Sequence, residues 1–246
     1  MSQPTVVIEE LLDRAKQGMT RPFICRGDDG ALYFVKGIGA GRRSQDCEWV
    51  AARLASLFGL PIAEYALAEV PTELVSCSTF PGIGELGSGV VFASRELPHV
   101  QELSVTTREH VPEALACDIL VFDWWLHNED RHLSELGGNP NLLWDVESQE
   151  LVVIDHNQCF DRTFNAAHFL GSHVFKDHAN RIFGDHIERT AYLERMNRAM
   201  AELDAIRASI PESWWEFDEG VPADVTWDEI AARVARCRAP DFWNTP

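Results

Sequence analysis

The amino-acid sequence changes character near residue 98, and this change constrains the fold more than any other feature. Before it, apolar residues form short strand-like runs separated by glycine and proline, with one long amphipathic segment at 45–58. After it, helical patterns predominate, beginning with the apolar segment at 111–127. We therefore expect an α+β protein with two lobes, a small strand-rich N-terminal lobe at 1–97 and a larger, mainly helical C-terminal lobe at 98–246.

Hydrophobic spacing and turn residues predict the individual elements. In the N-terminal lobe they predict helices at 5–18 and 45–58, a hairpin of strands at 21–26 and 31–36, and further strands at 62–70, 73–79 and 89–97. In the C-terminal lobe they predict a helix at 111–127, two short strands at 141–145 and 151–154, and a capping box at Thr226–Glu229. No internal repeat interrupts this order.

Charge and composition exclude several classes of protein. The chain has 246 residues, of which 21 are Lys or Arg and 39 are Asp or Glu, so its formal net charge is −18. Such a surplus repels nucleic acid and anionic membrane surfaces, while 46% hydrophobic residues can form a core. With neither a targeting signal nor a long apolar run in the sequence, we expect a soluble, cytoplasmic protein.

The cysteines and histidines do not form a metal-binding pattern. Six dispersed cysteines, with no C-x-x-C pair, are typical of reduced thiols in the core. His168, His173 and His178 recur at intervals of five, which places them on one face of neither a helix nor a strand. We therefore expect no structural zinc site.

Two aspartates stand where predicted elements end. Asp130 follows the helix at 111–127, and Asp155 follows the strand at 151–154. A carboxylate at such a position is costly unless it is paired or binds a cation, and Asp and Asn oxygens are ligands that Mg²⁺ prefers. Each aspartate alone also suits a structural role, Asp130 as a partner of Arg131 and Asp155 as a turn former.

The order of motifs along the chain resembles that of a known kinase family. Protein kinases use an Asp for the acceptor hydroxyl, an Asn soon after it, and a metal-binding Asp after a strand. The segments around Asp130 and Asp155 resemble those of phosphoinositide lipid kinases and, more closely, those of HipA-like kinases. Further HipA-like segments occur in the expected order between about 20 and 215: Tyr33–Lys36, Cys47–Pro61, Phe92–Leu97, Asp118–His132 and Ile210–Trp214.

This resemblance implies a bilobal protein-kinase-like fold that transfers the γ-phosphoryl group of ATP, with Mg²⁺, to a hydroxyl. The acceptor it implies is Ser or Thr of a protein substrate. The roles it implies are Lys36 for the α- and β-phosphates, Glu48 as the partner of that lysine, backbone groups of Glu96 and Leu97 for adenine, Asp130 for the attacking hydroxyl, His132 near the transferred phosphoryl group, and Asn139 and Asp155 for Mg²⁺.

The sequence departs from the family pattern at two places. The metal-binding Asn usually comes five residues after the catalytic Asp, where this chain has Glu135. The matching asparagines come later, as though about four residues were inserted, so we assign the role to Asn139 with Asn141 and Glu135 as alternatives. The second departure is His156–Asn157 in place of Phe-Gly. Both keep open a catalytically inactive pseudokinase that acts as a protein-interaction module.

Two motifs invite other interpretations. Gly37, Gly39 and Gly41 imitate a dinucleotide fingerprint, but Arg42 occupies the place of its third glycine and no βαβ alternation follows. These glycines form either a flexible loop or a loop over a nucleotide. No P-loop motif occurs. The tryptophans at 214, 215, 227 and 243 could form an interaction patch, although their spacing favours packing of C-terminal helices.

The net charge also bears on the kinase interpretation. A very acidic protein holds ATP only where Mg²⁺ and local cations such as Lys36 reverse the field, so we expect binding to depend steeply on magnesium. The same charge disfavours a phosphoinositide acceptor and favours neutral or basic proteins. The sequence leaves open which protein is the substrate and whether a regulatory protein partner restrains the kinase.

Overall fold

The computed structural model describes residues 5–16, 20–215 and 225–246. Its strands are β1 Val6–Arg14, β2 Phe23–Gly27, β3 Leu32–Lys36, β4 Tyr65–Val70, β5 Gly89–Arg95, β6 Val100–Glu102, β7 His132–Ser134, β8 Gly137–Asn139, β9 Leu142–Asp145 and β10 Leu151–Val153. Its α-helices are α1 Arg42–Phe58, α2 Thr72–Cys77, α3 Val105–Arg108, α4 Glu113–Leu126, α5 Ala166–Ser172, α6 Ala179–Gly184, α7 His186–Met200, α8 Leu203–Ser209, α9 Glu212–Trp215 and α10 Trp227–Ala235.

The chain divides into two compact units. The first contains the described residues of Met1–Trp49, Ala63–Pro98 and Ala208–Asp224, and the second contains those of Val50–Ile62, His99–Arg207 and Val225–Pro246. Strands predominate in the N-terminal part of the chain and helices in the C-terminal part, which confirms the mixed α and β composition expected from the sequence.

A closed five-stranded barrel forms the first unit, in the order β1-β2-β3-β5-β4. Neighbouring strands are antiparallel except for β1 and β4, which run parallel and close the barrel. Its core contains fully buried Ile8, Cys25, Val35, Ala68 and Val91. Burying an aliphatic side chain of valine size or larger stabilises a fold by roughly 1.5–3 kcal/mol. The barrel differs from the parallel sheet of a dinucleotide-binding fold.

The helix expected at 5–18 is wrong, because this segment contains strand β1. Its apolar residues recur at helix-like intervals for a structural reason. The pairing of β1 with β2 shifts register between Ile8 and Glu10 and again between Leu11 and Asp13. Each β-bulge adds a residue and interrupts the two-residue alternation of a strand. The spacing thus imitates an amphipathic helix.

The strand expected at 73–79 is also wrong, since Thr72–Cys77 form helix α2. Pro71 occupies its N-cap position and Glu73 lies in its first turn, where a negative charge suits the helix dipole. Leu74 and Val75 pack against the barrel core. The helix expected at 45–58 is confirmed as α1, and Gly59 follows it with a φ of 92°.

The second unit is built around helix α4. Ten of the fourteen residues of α4 are buried, so the helix forms the centre of this unit rather than its surface. A three-stranded sheet, in the order β10-β9-β6, and the hairpin β7–β8 accompany it. The helix expected at 111–127, both short strands and the capping box of Thr226 and Glu229 are confirmed.

The remaining composition-based expectations have mixed outcomes. All six cysteines are free and five are buried, but Cys77 at the end of α2 is exposed, so it is not a core thiol. Trp214 is fully buried and donates a hydrogen bond to the carbonyl of Val90 at 2.8 Å, which removes it from an exposed patch. Among the described residues, no helix combines the length and apolar content needed to cross a membrane.

Candidate active site

In the first unit, Lys36 and Glu48 form a buried ion pair. Lys36 is the last residue of β3 and Glu48 lies on α1, and their side chains form a direct hydrogen bond. Only 7% of Lys36 and 2% of Glu48 is exposed. Because a buried charge needs a partner, each side chain fixes the position of the other. The structure thus brings together two residues to which the family resemblance gives linked roles.

The glycine-rich loop between β3 and α1 is closely packed. The residues Ile38–Ala40 form a 3₁₀ turn, and the amide of Ile38 donates to the carbonyl of Leu86 at 3.1 Å. A Cβ atom on Gly37 would lie 2.4 Å from the backbone of Leu86, and one on Gly39 would lie 2.7 Å from the Cβ of Glu85. Close approach between two loops therefore explains Gly37 and Gly39. A position of this loop over a nucleotide stays a prediction.

The segment expected to hold adenine follows strand β5. The amide of Glu96 donates to the carbonyl of Leu32 at 2.8 Å, so it belongs to the barrel's own hydrogen bonds. The backbone groups of this segment on which adenine binding would depend are therefore the Glu96 carbonyl and the Leu97 amide. The Glu96 side chain is exposed, as expected for a position that acts through its backbone.

In the second unit, two asparagine side chains hold Asp130. The Oδ2 atom of Asp130 accepts hydrogen bonds from the Nδ2 atoms of Asn139 at 2.9 Å and of Asn141 at 3.1 Å. The Asp130 amide also donates to the Asn128 Oδ1 at 3.3 Å. This carboxylate is half-buried, in the loop that follows α4. Because two donors hold Oδ2, the direction in which the Oδ1 atom of Asp130 points is also fixed.

The apparent insertion between Asp130 and Asn139 is the hairpin β7–β8. His132 pairs with Asn139, Leu133 with Gly138 and Ser134 with Gly137, so the chain leaves the loop and returns. This hairpin explains how an asparagine nine residues after Asp130 can contact it. Glu135 lies at the exposed turn of the hairpin, at the opposite end from the His132–Asn139 pair.

Arg131 anchors the surrounding segments from within. It is completely buried, and its Nη1 donates to the carbonyls of Pro140 at 3.2 Å, Asn141 and Ile154 at 3.3 Å. One guanidinium thereby joins the loop of Asp130, the segment of Asn141 and the residue before Asp155. The structural alternative that Arg131 pairs with Asp130 is wrong, because its ionic partner is Asp123.

Asp123, on helix α4, is the centre of a buried network that the sequence interpretation missed. It accepts hydrogen bonds from Arg131 Nε at 2.8 Å, His173 Nε2 at 2.9 Å and Asn128 Nδ2 at 2.9 Å. Burial alone would raise its pKa, but the charge of Arg131 and the other donors lower the pKa to about 2. Its signal was a carboxylate with apolar residues on both sides, Phe122 and Trp124, in an apolar helix, since a buried charge requires partners.

His173 completes this network as a neutral ring. Its Nδ1 accepts a hydrogen bond from the amide of Phe175 at 3.1 Å, so its Nε2 carries the proton donated to Asp123. Burial lowers the pKa of His173. The histidine therefore acts in structure, and its recurrence with His168 and His178 does not mark a metal site.

Asp155 and Asn141 both adopt left-handed backbone conformations. Their φ angles are 54° and 49°, which are uncommon for residues other than glycine and occur often at functional sites. Asp155 lies two residues after β10 and is half-buried, and its Oδ1 accepts from the amide of Asn157 at 3.4 Å. The bond to Asn157 agrees with the turn-forming role, and it leaves room for a ligand role as well.

The donor set in this region fits a hard divalent cation. Within the described part of the chain, no three His, Cys, Asp or Glu side chains are grouped to hold a metal, so a site here needs amide oxygens as well. Asn139 and Asn141 direct their nitrogens to Asp130, which leaves their side-chain oxygens as donors. Carboxylate and carboxamide oxygens are ligands that Mg²⁺ prefers.

Comparisons with known proteins identify the family of the chain and a similar fold. A crystal structure of the Helicobacter pylori proinflammatory kinase CtkA has a similar fold, with a TM-score of 0.52 and 11% sequence identity over 96% of this chain and 92% of that one. None of the curated proteins compared with the chain matches it. The family model described as HipA-like kinase matches residues 8–246. The chain therefore belongs to the HipA-like kinase family.

Proposed function

We propose that this protein transfers the γ-phosphoryl group of ATP to the hydroxyl of Ser or Thr in a protein, with Mg²⁺. The observation that carries the proposal is the arrangement of Asp130. Its Oδ2 is held by Asn139 and Asn141, whereas its Oδ1 accepts no hydrogen bond from the described residues. A carboxylate with one oxygen fixed and the other available suits the orientation of a hydroxyl and the removal of its proton.

Positioning does most of the catalytic work in this proposal. Phosphoryl transfer needs an in-line hydroxyl and neutralised phosphate charge, and little covalent chemistry from the protein. Asp130 orients the attacking hydroxyl and accepts its proton, and His132 lies near the transferred phosphoryl group. Arg131 and Asp123 act as positioning residues, since they hold the loop of Asp130 without facing a substrate.

The first unit supplies the proposed contacts to ATP. Lys36 meets the α- and β-phosphates, with Glu48 holding its side chain in place. The Glu96 carbonyl and Leu97 amide hold the adenine edge. We propose for the whole chain the bilobal arrangement of protein kinases, with lobes at 1–97 and 98–246.

Asn139 and Asp155 would hold Mg²⁺, with Asn141 as a further donor. The cation supplies neutralisation of phosphate charge when it is bound. A net charge of −18 makes this neutralisation important for ATP binding. The same charge favours neutral or basic protein substrates, and a regulatory protein partner stays a prediction.

The test is phosphate transfer from radiolabelled ATP to proteins of a cell lysate. We expect labelling by the wild type and its loss in Asp130→Ala, with Asp177→Asn as the matched control because Asp177 is exposed at a distance along the chain. Equal labelling by the wild type and Asp130→Ala would remove Asp130 from the mechanism. Replacing Mg²⁺ with EDTA should abolish labelling in every sample.

A thermal-shift titration with Mg·ATP separates the kinase from the pseudokinase. Stabilisation by Mg·ATP that is lost in Lys36→Ala and Asp155→Ala supports a nucleotide site. Stabilisation without any labelling would favour the pseudokinase. An absence of stabilisation up to millimolar ATP would contradict the kinase proposal.

A further inference from the structure

Two arginines in the second unit converge on one histidine. Arg233 lies on α10 and Arg236 directly after it. The Arg233 Nη1 lies 2.9 Å from the Nδ1 of His127, and the Arg236 Nη1 lies 3.0 Å from the Nε2 of the same ring. His127 is only 6% exposed, whereas both arginines are half-buried. We call these three residues the arginine–histidine cluster.

The arginine–histidine cluster has no carboxylate within ion-pair distance among the described residues. The charges of two acidic side chains, Asp161 and Glu229, act on Arg233, but both carboxylates bind other residues. Asp161 accepts from Thr163, and Glu229 accepts from Arg162 at 2.6 Å and completes the capping box of α10. Two guanidinium groups therefore face one imidazole with no direct counterion.

The ring between the arginines stays neutral. Burial, followed by the charges of Arg233 and Arg236, lowers the pKa of His127 to about 3. Burial and the charge of Arg236 also lower the pKa of Arg233. Both shifts have the direction expected for like charges held close together, so the cluster is an unbalanced positive site in an acidic protein.

A cavity opens at the cluster. Its volume is about 270 Å³, and it is lined by Phe160, Val225 and Ala232 together with Arg162, Glu229, Arg233 and Arg236. Among the described lining residues, Glu229 is the one carboxylate, and Arg162 donates to both of its oxygens. This volume has room for several waters or one oxyanion with its hydration. Phe160 and Val225 in its lining are buried apolar residues, and electrostatic attraction is stronger beside apolar groups than in water.

We propose that the arginine–histidine cluster binds a small phosphate-type oxyanion. Guanidinium groups match the oxygens of phosphate through paired N–H donors, and charge-assisted hydrogen bonds of this kind are strong. The bound anion supplies the counterion that the described residues do not provide. This site is separate from the proposed phosphotransfer residues and does not depend on that function.

The position of the cluster connects it with the loop of Asp130. His127 follows the last residue of α4 with a φ of 55° and lies three residues before Asp130. Phe160, which lines the cavity, donates its amide to the carbonyl of Leu126, the residue before His127, at 2.7 Å. An anion that draws Arg233 and Arg236 away from the ring changes the surroundings of His127, and it can thereby alter the start of this loop.

Calorimetric titration with inorganic phosphate tests the site, with potassium chloride varied to hold ionic strength constant. We expect saturable binding that weakens at least about ten-fold in Arg233→Gln/Arg236→Gln. Arg238→Gln is the matched control, because Arg238 donates to Asn197 rather than to His127, and it should bind phosphate as the wild type does. Lys36→Ala should also retain binding, which separates this site from the nucleotide site.

A local readout keeps the test decisive if the double variant fails to fold. The imidazole ¹⁵N resonances of His127 should shift on phosphate addition in the wild type and in Lys36→Ala, with a rise in the pKa of this ring. Unmoved resonances, phosphate heats equal to those of chloride, or an equal loss in Arg238→Gln would overturn the proposal. Titration with O-phosphoserine then separates the sources, since comparable affinity indicates a phosphate ester and much weaker affinity indicates free phosphate.

Discussion

Two buried aspartates, one in each unit, have pKa values shifted in opposite directions. Asp123 is completely buried, yet its pKa falls to about 2, because Arg131, His173 and Asn128 donate to its oxygens. Asp46 on α1 is 4% exposed, and burial raises its pKa to about 7, only partly opposed by the charge of Arg42. The partners of a buried carboxylate, and not its burial alone, decide its charge.

This difference extends to the two parts of the candidate site. In the second unit, Asn139 and Asn141 hold the side chain of Asp130 directly. A network in which Asp123 and Arg131 join three backbone segments holds its loop. In the first unit, the side chain of Lys36 is held by its ion pair with Glu48. The network should tolerate substitution much less than the pair, and the following changes test this.

The largest effect should come from Asp123→Ala. Removing this carboxylate leaves the guanidinium of Arg131 buried without its ionic partner, so we expect a loss of about 3–5 kcal/mol in the free energy of unfolding. Urea denaturation at pH 7 measures it. Asp177→Ala, which removes an exposed carboxylate 3.7 Å from Arg108, should change stability by less than about 0.5 kcal/mol. Similar losses in the two variants would refute the importance of the network.

A smaller effect of opposite sign should come from Asp46→Asn. Between pH 4 and pH 7 the unfolded chain ionises Asp46 while the folded chain keeps its proton, so this residue makes stability fall as pH rises. Asparagine cannot ionise. The variant should therefore match the wild type near pH 4, and its stability advantage should grow as pH rises and level off above about pH 7.

Urea denaturation across this pH range measures the effect of Asp46→Asn, with Asp241→Asn as an exposed control. The control should show no such pH dependence. A variant that is less stable than the wild type at pH 8 would mean that the Asp46 carboxylate is ionised and stabilised in the folded chain.

The smallest effect should come from replacing Lys36 and Glu48 together. A buried ion pair exchanged for apolar side chains of similar size is often close to neutral, so Lys36→Met/Glu48→Leu should change stability by less than about 1 kcal/mol. Each single variant should cost more, because it removes the ionic partner of a buried charge. A double-mutant cycle measures this coupling. If the losses of the two single variants add up in the double variant, Lys36 and Glu48 are not coupled, and the expected difference from the Asp123 network is wrong.

The sequence predicted the elements whose apolar residues form one uninterrupted pattern. Helix α4 and strands β9 and β10 were predicted because each forms a mostly apolar run bounded by polar or turn residues. Strand β1 was assigned as a helix because two bulges break its alternation, and bulges are set by pairing with β2. Pairing partners are not visible in a local pattern.

The candidate site shows the same division. Asp130, Asn139 and Asn141 were singled out by residue type and order, and they lie in contact. The hairpin that brings Asn139 back to Asp130 was expected only as an insertion of about four residues, because its two strands contain one large apolar residue, Leu133, and no apolar run. The role of Arg131 depends on backbone carbonyls from distant segments, which leave no trace in residue types.

The closure of the barrel through β1 and β4 has a consequence for synthesis on the ribosome. Val6 pairs with Ala68 and Val7 with Glu69, about sixty residues later in the chain. At about 5–20 residues per second, β1 waits on the order of 3–12 s before β4 is made. Strand β2 can cover one edge of β1 early, but the other edge stays open during this time and can pair with a neighbouring nascent chain. Expression at a lower density of ribosomes per message should therefore improve the soluble yield.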